Sequence, residues 1–146
     1  MDLMNWGMNY TLIFILAGLV LAGLVLLFIF SRGKGGKFAE LDRNLINSRW
    51  QEIQNLVSIN KPSSLKQAVI EADKLLDYVL KGRHFRGQTM GERMKSARND
   101  FSDNNGVWTA HKIRNVLVHE QAEVFVDQLK DAVHHFERAL KDLGGL

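Results

Sequence analysis

The run from Tyr10 to Phe30 contains no charged residue, and it restricts the possible folds of this chain more than any other feature. A helix needs about 20 apolar residues to cross a bilayer, so the run is long enough. A signal peptide is disfavoured because no basic segment precedes the run and no small-x-small cleavage site follows it. A buried core helix is disfavoured because too little protein remains to cover a helix that is apolar on all sides. The sequence therefore predicts a transmembrane anchor in residues 1–31, with a span of about 10–30.

The charges predict an orientation for this anchor. All 19 Lys and Arg follow residue 31, whereas Asp2 precedes the run. Arg32, Lys34 and Lys37 come directly after it, so the positive-inside rule predicts a single-pass protein of the cytoplasmic membrane, with its N-terminus outside and its C-terminal domain in the cytoplasm. The absence of cysteine excludes disulfides and thiolate metal sites. The mildly basic C-terminal part is compatible with RNA or with anionic lipid as a partner.

Helical spacing of apolar residues after residue 37, with a single proline, predicts an all-α protein. Residues 32–62 are predicted to form a basic linker and a stalk helix (38–59), which either packs onto the next domain or pairs between chains. Residues 63–146 are predicted to form a cytoplasmic up-down helical bundle. Its helices are expected at 65–80, 89–101, 107–119 and 122–143, the second opened by a capping box of Thr89 and Glu92. Phe125 is the first residue that the last helix is expected to bury.

The segment HKIRNVLVHE, residues 111–120, combines an apolar helical side with an unusual set of polar residues. At 100° per residue, four polar residues of this segment fall on one arc of the helix about 140° wide. They are His111, Arg114, Asn115 and His119. Such an arc is costly to bury without partners, so it is either a satisfied polar seam or a functional site.

The order Arg114, Asn115 and then His119, written R-N-V-L-V-H, resembles the motif of HEPN domains, which are small all-helical modules, many of them metal-independent RNases. The resemblance covers roughly residues 63–143. It implies a bundle of HEPN type that acts as a homodimer. It also implies that Arg114, Asn115 and His119 are catalytic, with His111 and Glu120 in support.

Metal-independent RNA cleavage needs a proton-transfer group and a cation for the phosphate, roles that suit His119 and Arg114. A basic cluster between residues 81 and 98 is either a solvated face or a surface for the phosphate backbone. Its candidate nucleic-acid-binding residues are Arg83, Arg86, Arg93, Lys95 and Arg98. No grouping of His, Asp and Glu has the spacing of a zinc or two-metal site, so neither a metal nor a cofactor is expected.

Two functions fit these features. The first is a membrane-tethered HEPN-like endoribonuclease that needs no metal and has RNA as its substrate. The second is a non-catalytic, membrane-tethered helical module for interaction or scaffolding, whose protein partner the sequence does not identify. In both cases the partners include the lipid bilayer and a second copy of the chain. If this polar arc is open to solvent and lined by basic residues, the endoribonuclease is favoured. An arc closed by pairing of Arg114 with an acid, such as Asp103 or Glu120, would favour the interaction module.

Overall fold

In the computed structural model, residues 14–21, 23, 41–119 and 123–146 are described. The chain divides into two compact units, Met1–Lys37 and Phe38–Leu146. In the first unit, residues 14–21 are helical with exposed side chains and form α1. The second unit contains α2 (Arg43–Ile59), α3 (Pro62–Gly82), α4 (Met90–Ser96), α5 (Asn104–His119) and α6 (Val126–Asp142). The described residues thus hold six helices and no strand, and the all-α prediction is confirmed.

The predicted membrane span, residues 10–30, lies largely outside the described residues. Within the described part of the chain, no helix combines the length and the apolar character that a bilayer crossing requires. The transmembrane anchor expected from the sequence is therefore unsupported.

Helix α3 is the centre of the second unit and contacts each of its other four helices. Its apolar residues recur at helical spacing, and all those that the pattern placed on one face are buried. They are Leu65, Ala68, Val69, Ala72, Leu75, Leu76, Val79 and Leu80. Helix α2 buries Ile46, Trp50 and Ile53 and packs along α3. The predicted stalk helix is thus an integral layer of the bundle, the first of the two alternatives that its sequence allowed.

Side-chain contacts fix the direction of each helix. Gly82, at the end of α3, lies against Leu41, just before α2, so these two helices run antiparallel. Gly145, after α6, lies against Val79, and the Arg83 guanidinium donates to the Gly144 carbonyl at 3.0 Å, so α3 and α6 end on the same side. Ser102, just before α5, donates to Asp142, at the end of α6. Helices α2, α3, α5 and α6 therefore form an up-down bundle, with the α2–α3 and α5–α6 turns at one end.

The helix ends follow local chemistry. Thr89 and Glu92 form the predicted capping box, each accepting from the other's backbone N–H at 3.2 Å. Helix α5 begins at Asn104, three residues earlier than predicted, because the Asp103 carboxylate accepts from the Gly106 N–H at 2.9 Å. Helix α6 begins at Val126, so Phe125 precedes it and is exposed, contrary to the prediction that it is buried.

Candidate functional site

A buried carboxylate meets the motif helix at the middle of the bundle. Asp73 projects from α3, and its side chain is only 3% exposed. Its Oδ1 lies 2.7 Å from His111 Nδ1, and its Oδ2 lies 3.1 Å from Arg114 Nε. The Arg114 contact is an ion pair by distance but does not have the alignment of a hydrogen bond. Arg114 Nε accordingly has no hydrogen-bond partner among the described residues. We refer to Asp73, His111 and Arg114 as the Asp73 cluster.

Helix α5 presents its two members of the cluster from neighbouring turns, since His111 and Arg114 are three residues apart and face the same side. An ionised carboxylate accepts only, so Nδ1 of His111 must be the donor in this contact. The edge of the His111 ring also meets Trp108, with the two rings nearly perpendicular and their centroids 6.1 Å apart. Arg114 Nη1 donates to Asn115 Oδ1 at 3.0 Å. The side chains of His111 and Arg114 are only 13% and 25% exposed, so the polar arc is largely closed here.

The remaining motif residues do not join this cluster. His119 is the last residue of α5 and is exposed, and no hydrogen bond or ion pair involves it within the described ranges. Asn115, which could have oriented the His119 ring, is bonded to Arg114 instead. Glu120 lies outside the described residues. The structure therefore gathers Arg114, Asn115 and His111 around Asp73 and leaves His119 apart.

The predicted nucleic-acid-binding residues differ in environment. Arg93 is buried, and its Nε and Nη2 donate to Asp77 at 2.9 and 2.6 Å. Its Nη1 donates to the carbonyls of Gly87 and Gln88, so it anchors the loop before α4. Arg83 donates to the Gly144 carbonyl. The other three candidates, Arg86, Lys95 and Arg98, are exposed.

A second acidic contact joins α5 to α6. The Asp103 carboxylate lies 3.0 Å from His135 Nδ1 and 3.6 Å from Arg138 Nη1. The hydrogen bond from the Gly106 N–H, followed by the charges of His135 and Arg138, lowers the pKa of Asp103 from its ordinary value. Asp103 therefore caps α5 and ties it to α6, and it is not the acid that pairs with Arg114.

Within the described part of the chain, neither a metal site nor the groove between α2 and α3 coincides with the motif. No group of three or more His, Cys, Asp or Glu among the described residues could hold a metal ion. A groove of about 750 Å³ lies between α2 and α3. The α3 residues that line it, Gln67, Glu71 and Lys74, are turned roughly 100–160° from Asp73 around the helix. The groove and the Asp73 cluster are thus separate features.

In the described part of the second unit, the exposed large apolar side chains lie at one end of the bundle. Val118 is in the last turn of α5 and is 47% exposed. Ile59 is the last residue of α2 and is 54% exposed, and Phe125, just before α6, is 72% exposed. The antiparallel helix directions bring all three to the end that carries the α2–α3 and α5–α6 turns. We refer to Ile59, Val118 and Phe125 as the apolar end. The sequence pattern missed it because Phe125 fits the periodicity of a buried helical face.

No family model, curated protein or solved structure matches this chain. The identification as a HEPN-like domain fused to a transmembrane anchor, drawn from Arg114, Asn115 and His119, is therefore wrong. An arginine and a histidine at this spacing are compatible with an ordinary helix, and here the arginine pairs with the buried Asp73. The coarser description as an up-down helical bundle stands.

Proposed function

We propose that the second unit is a non-catalytic interaction module that binds a protein through its apolar end. The pairing of Arg114 with Asp73 supports this function over RNA cleavage, since an arc closed on an acid is the arrangement expected of a structural seam. The guanidinium has one buried carboxylate and one amide as partners, and three-quarters of its side chain is covered. An arginine that clamps a phosphate needs its donors directed to solvent. The endoribonuclease hypothesis stays a prediction with less support.

The exposure of Val118 and Phe125 is the observation that carries the proposal. Single exposed apolar residues are common on protein surfaces, but clustered ones mark interaction sites. Elsewhere in the described part of the second unit the large apolar residues are buried or half-buried, so the exposure is confined to one end. Aromatic side chains such as that of Phe125 are enriched in the centres of interfaces.

The proposal is tested by placing a photoreactive amino acid at position 118 of the full chain in its native cells. The matched control carries the same amino acid at position 112, because Lys112 is also exposed but lies about 120° away around α5. We expect a protein adduct from position 118 and none from position 112. Equal labelling from both positions, or none from either, contradicts the proposal.

A second measurement addresses catalysis directly. The purified chain is incubated with labelled RNA in EDTA, alongside a His119→Ala variant. If the chain is a non-catalytic interaction module, the RNA should remain intact in both samples. Cleavage by the unmodified chain that is lost in His119→Ala, with the melting temperature unchanged, would favour the endoribonuclease instead.

A further inference from the structure

We infer that the partner of the apolar end is a second copy of this chain, docked about a two-fold axis. This inference rests on the proposed function, because it uses the same surface and names its occupant. Two-fold docking brings the same patch of both copies together, so the patch must be complementary to itself. The apolar end meets this condition because its centre is apolar and the charges on its two sides have opposite signs.

The charges around the apolar end are divided into two halves. Lys61 and Lys66 lie at the α2–α3 turn and the first turns of α3, and both are exposed. Glu123 and Asp127 lie at the beginning of α6, and both are exposed as well. No ion pair involves any of these four side chains within the described ranges. Lys130 and Asp131, one turn further along α6, are also exposed, and their opposite charges cancel in the sum. Among the described residues, the α3 side of the apolar end therefore carries net positive charge and the α6 side net negative charge.

A two-fold rotation places the basic half of one copy against the acidic half of the other, and it does so twice. Lys61 and Lys66 then face the partner copy's acidic half, around a centre made by Phe125 and Val118. Such an arrangement has an apolar centre with a charged rim, which is the usual anatomy of a specific interface. A partner whose surface carried charge of only one sign would complement only one of the two halves, so the opposite signs favour a second copy of this chain.

The expected dimer is weak. Stable interfaces bury about 800 Å² on each partner, from about 20–30 residues. The surface here is formed by the ends of four helices and not by their full lengths. We therefore expect a dissociation constant on the order of micromolar to tens of micromolar, below which the chain is monomeric.

The first test is sedimentation equilibrium of the full chain and its Phe125→Ser variant across this concentration range. Phe125 is the N-cap residue of α6, and serine is preferred at an N-cap, so the variant should fold at least as well as the original. We expect the dissociation constant to rise about tenfold or more, as for a central aromatic contact. Arg86→Ser is the control, because Arg86 is exposed and lies at the opposite end of the bundle, and it should leave the dissociation constant unchanged.

The second test exploits the divided charge. One variant carries Lys61→Glu and Lys66→Glu, so both halves are acidic, and the other carries Glu123→Lys and Asp127→Lys, so both are basic. Each variant alone should be monomeric, because two-fold docking then opposes like charges. An equimolar mixture should form a heterodimer, detected by native mass spectrometry. Circular dichroism confirms that each variant is folded, and all variants share residues 1–40, so any association through that segment is common to all of them.

The outcomes separate the inference from the proposed function. A dimer that Phe125→Ser leaves intact, or a mixture that stays monomeric, overturns docking through the apolar end. A monomeric chain whose position-118 probe still labels a different protein overturns the second copy as occupant and leaves the proposed function standing. A monomeric chain whose probe labels nothing contradicts both. Weakening by Phe125→Ser together with a heterodimer in the mixture supports both.

Discussion

Removing the carboxylate of Asp73 should destabilise the bundle much more than removing the imidazole of His119, the motif residue that lies apart from the Asp73 cluster. The Asp73→Ala variant leaves the Arg114 guanidinium without its ionic partner and His111 Nδ1 without its hydrogen-bond acceptor. Breaking a fully buried ion pair costs about 3–5 kcal/mol of unfolding free energy. Because a quarter of the Arg114 side chain is exposed, water recovers part of this loss, and we expect about 2–3 kcal/mol. For a domain of this size the melting temperature should fall by roughly 10–20 °C.

The measurement is urea denaturation followed by helical circular dichroism, with His119→Ala as the control. His119 is exposed and has no partner among the described residues, so its removal should cost less than about 0.5 kcal/mol. Asp73→Asn should fall between the two variants, because an amide keeps an acceptor for one neighbour but loses the charge. Equal stability of Asp73→Ala and His119→Ala would refute the reasoning, since it would mean that the Asp73 cluster does not hold α5 against α3.

A compensated variant provides the complementary test of the Asp73 cluster. Replacement of buried ion pairs by apolar residues of similar size is often neutral or stabilising, by about 1–4 kcal/mol. The triple change Asp73→Leu, His111→Leu and Arg114→Met should therefore recover much of the stability lost in Asp73→Ala. A cluster that serves only the fold tolerates this exchange, and dimerisation through the apolar end should continue.

Three further predictions concern the rest of the bundle. Arg93→Ala should lower the unfolding free energy by about 2–4 kcal/mol, because it leaves Asp77 with only the exposed Lys81 and removes the donor of two loop carbonyls. Arg86→Ala should have little effect, and urea denaturation of both variants measures the difference. The pKa of Asp103 is lowered in the folded chain, so its stabilisation is present above the unfolded value of 3.8 and is lost as the pH falls through the lower folded value. Melting temperatures across acid pH should therefore fall less steeply in Asp103→Ala than in the original chain. Gly106→Ala should be destabilising in a thermal melt, because the added methyl group would overlap Asp103 and His135.

Local patterns predicted the parts of this fold that depend on neighbours in sequence. The buried face of α3 follows directly from the spacing of its apolar residues, and the Thr89 capping box follows from a four-residue motif. The position of Phe125 was predicted wrongly because periodicity cannot locate the residue at which a helix starts. Helix α6 begins at Val126, four residues later than the predicted start at 122, so Phe125 precedes the helix and its ring lies outside the core.

Pairing between helices could not be predicted from the same information. The acids considered as partners of Arg114, Asp103 and Glu120, are both closer in sequence, whereas Asp73 comes from a different helix 41 positions away (114 − 73). Arg93 belongs by sequence to a basic cluster, but the structure turns it inward to Asp77. In both cases the deciding factor is which faces of two helices meet, and a single sequence carries no direct signal of that.

Helix α5 divides into two halves with different tasks, and this division explains why one motif suggested a catalytic site. Its first half buries Val107 and Ala110 and is held by Asp103 and Asp73, so its polar residues are tied into the fold. In its last turn Leu117 still packs against the core, but Val118 is exposed and is available to a partner. A substitution in the first half should therefore change stability, and one at the last turn should change association at constant stability. A polar arc that crosses both halves looks continuous on a helical wheel, but the bundle covers one part of it and leaves the other open.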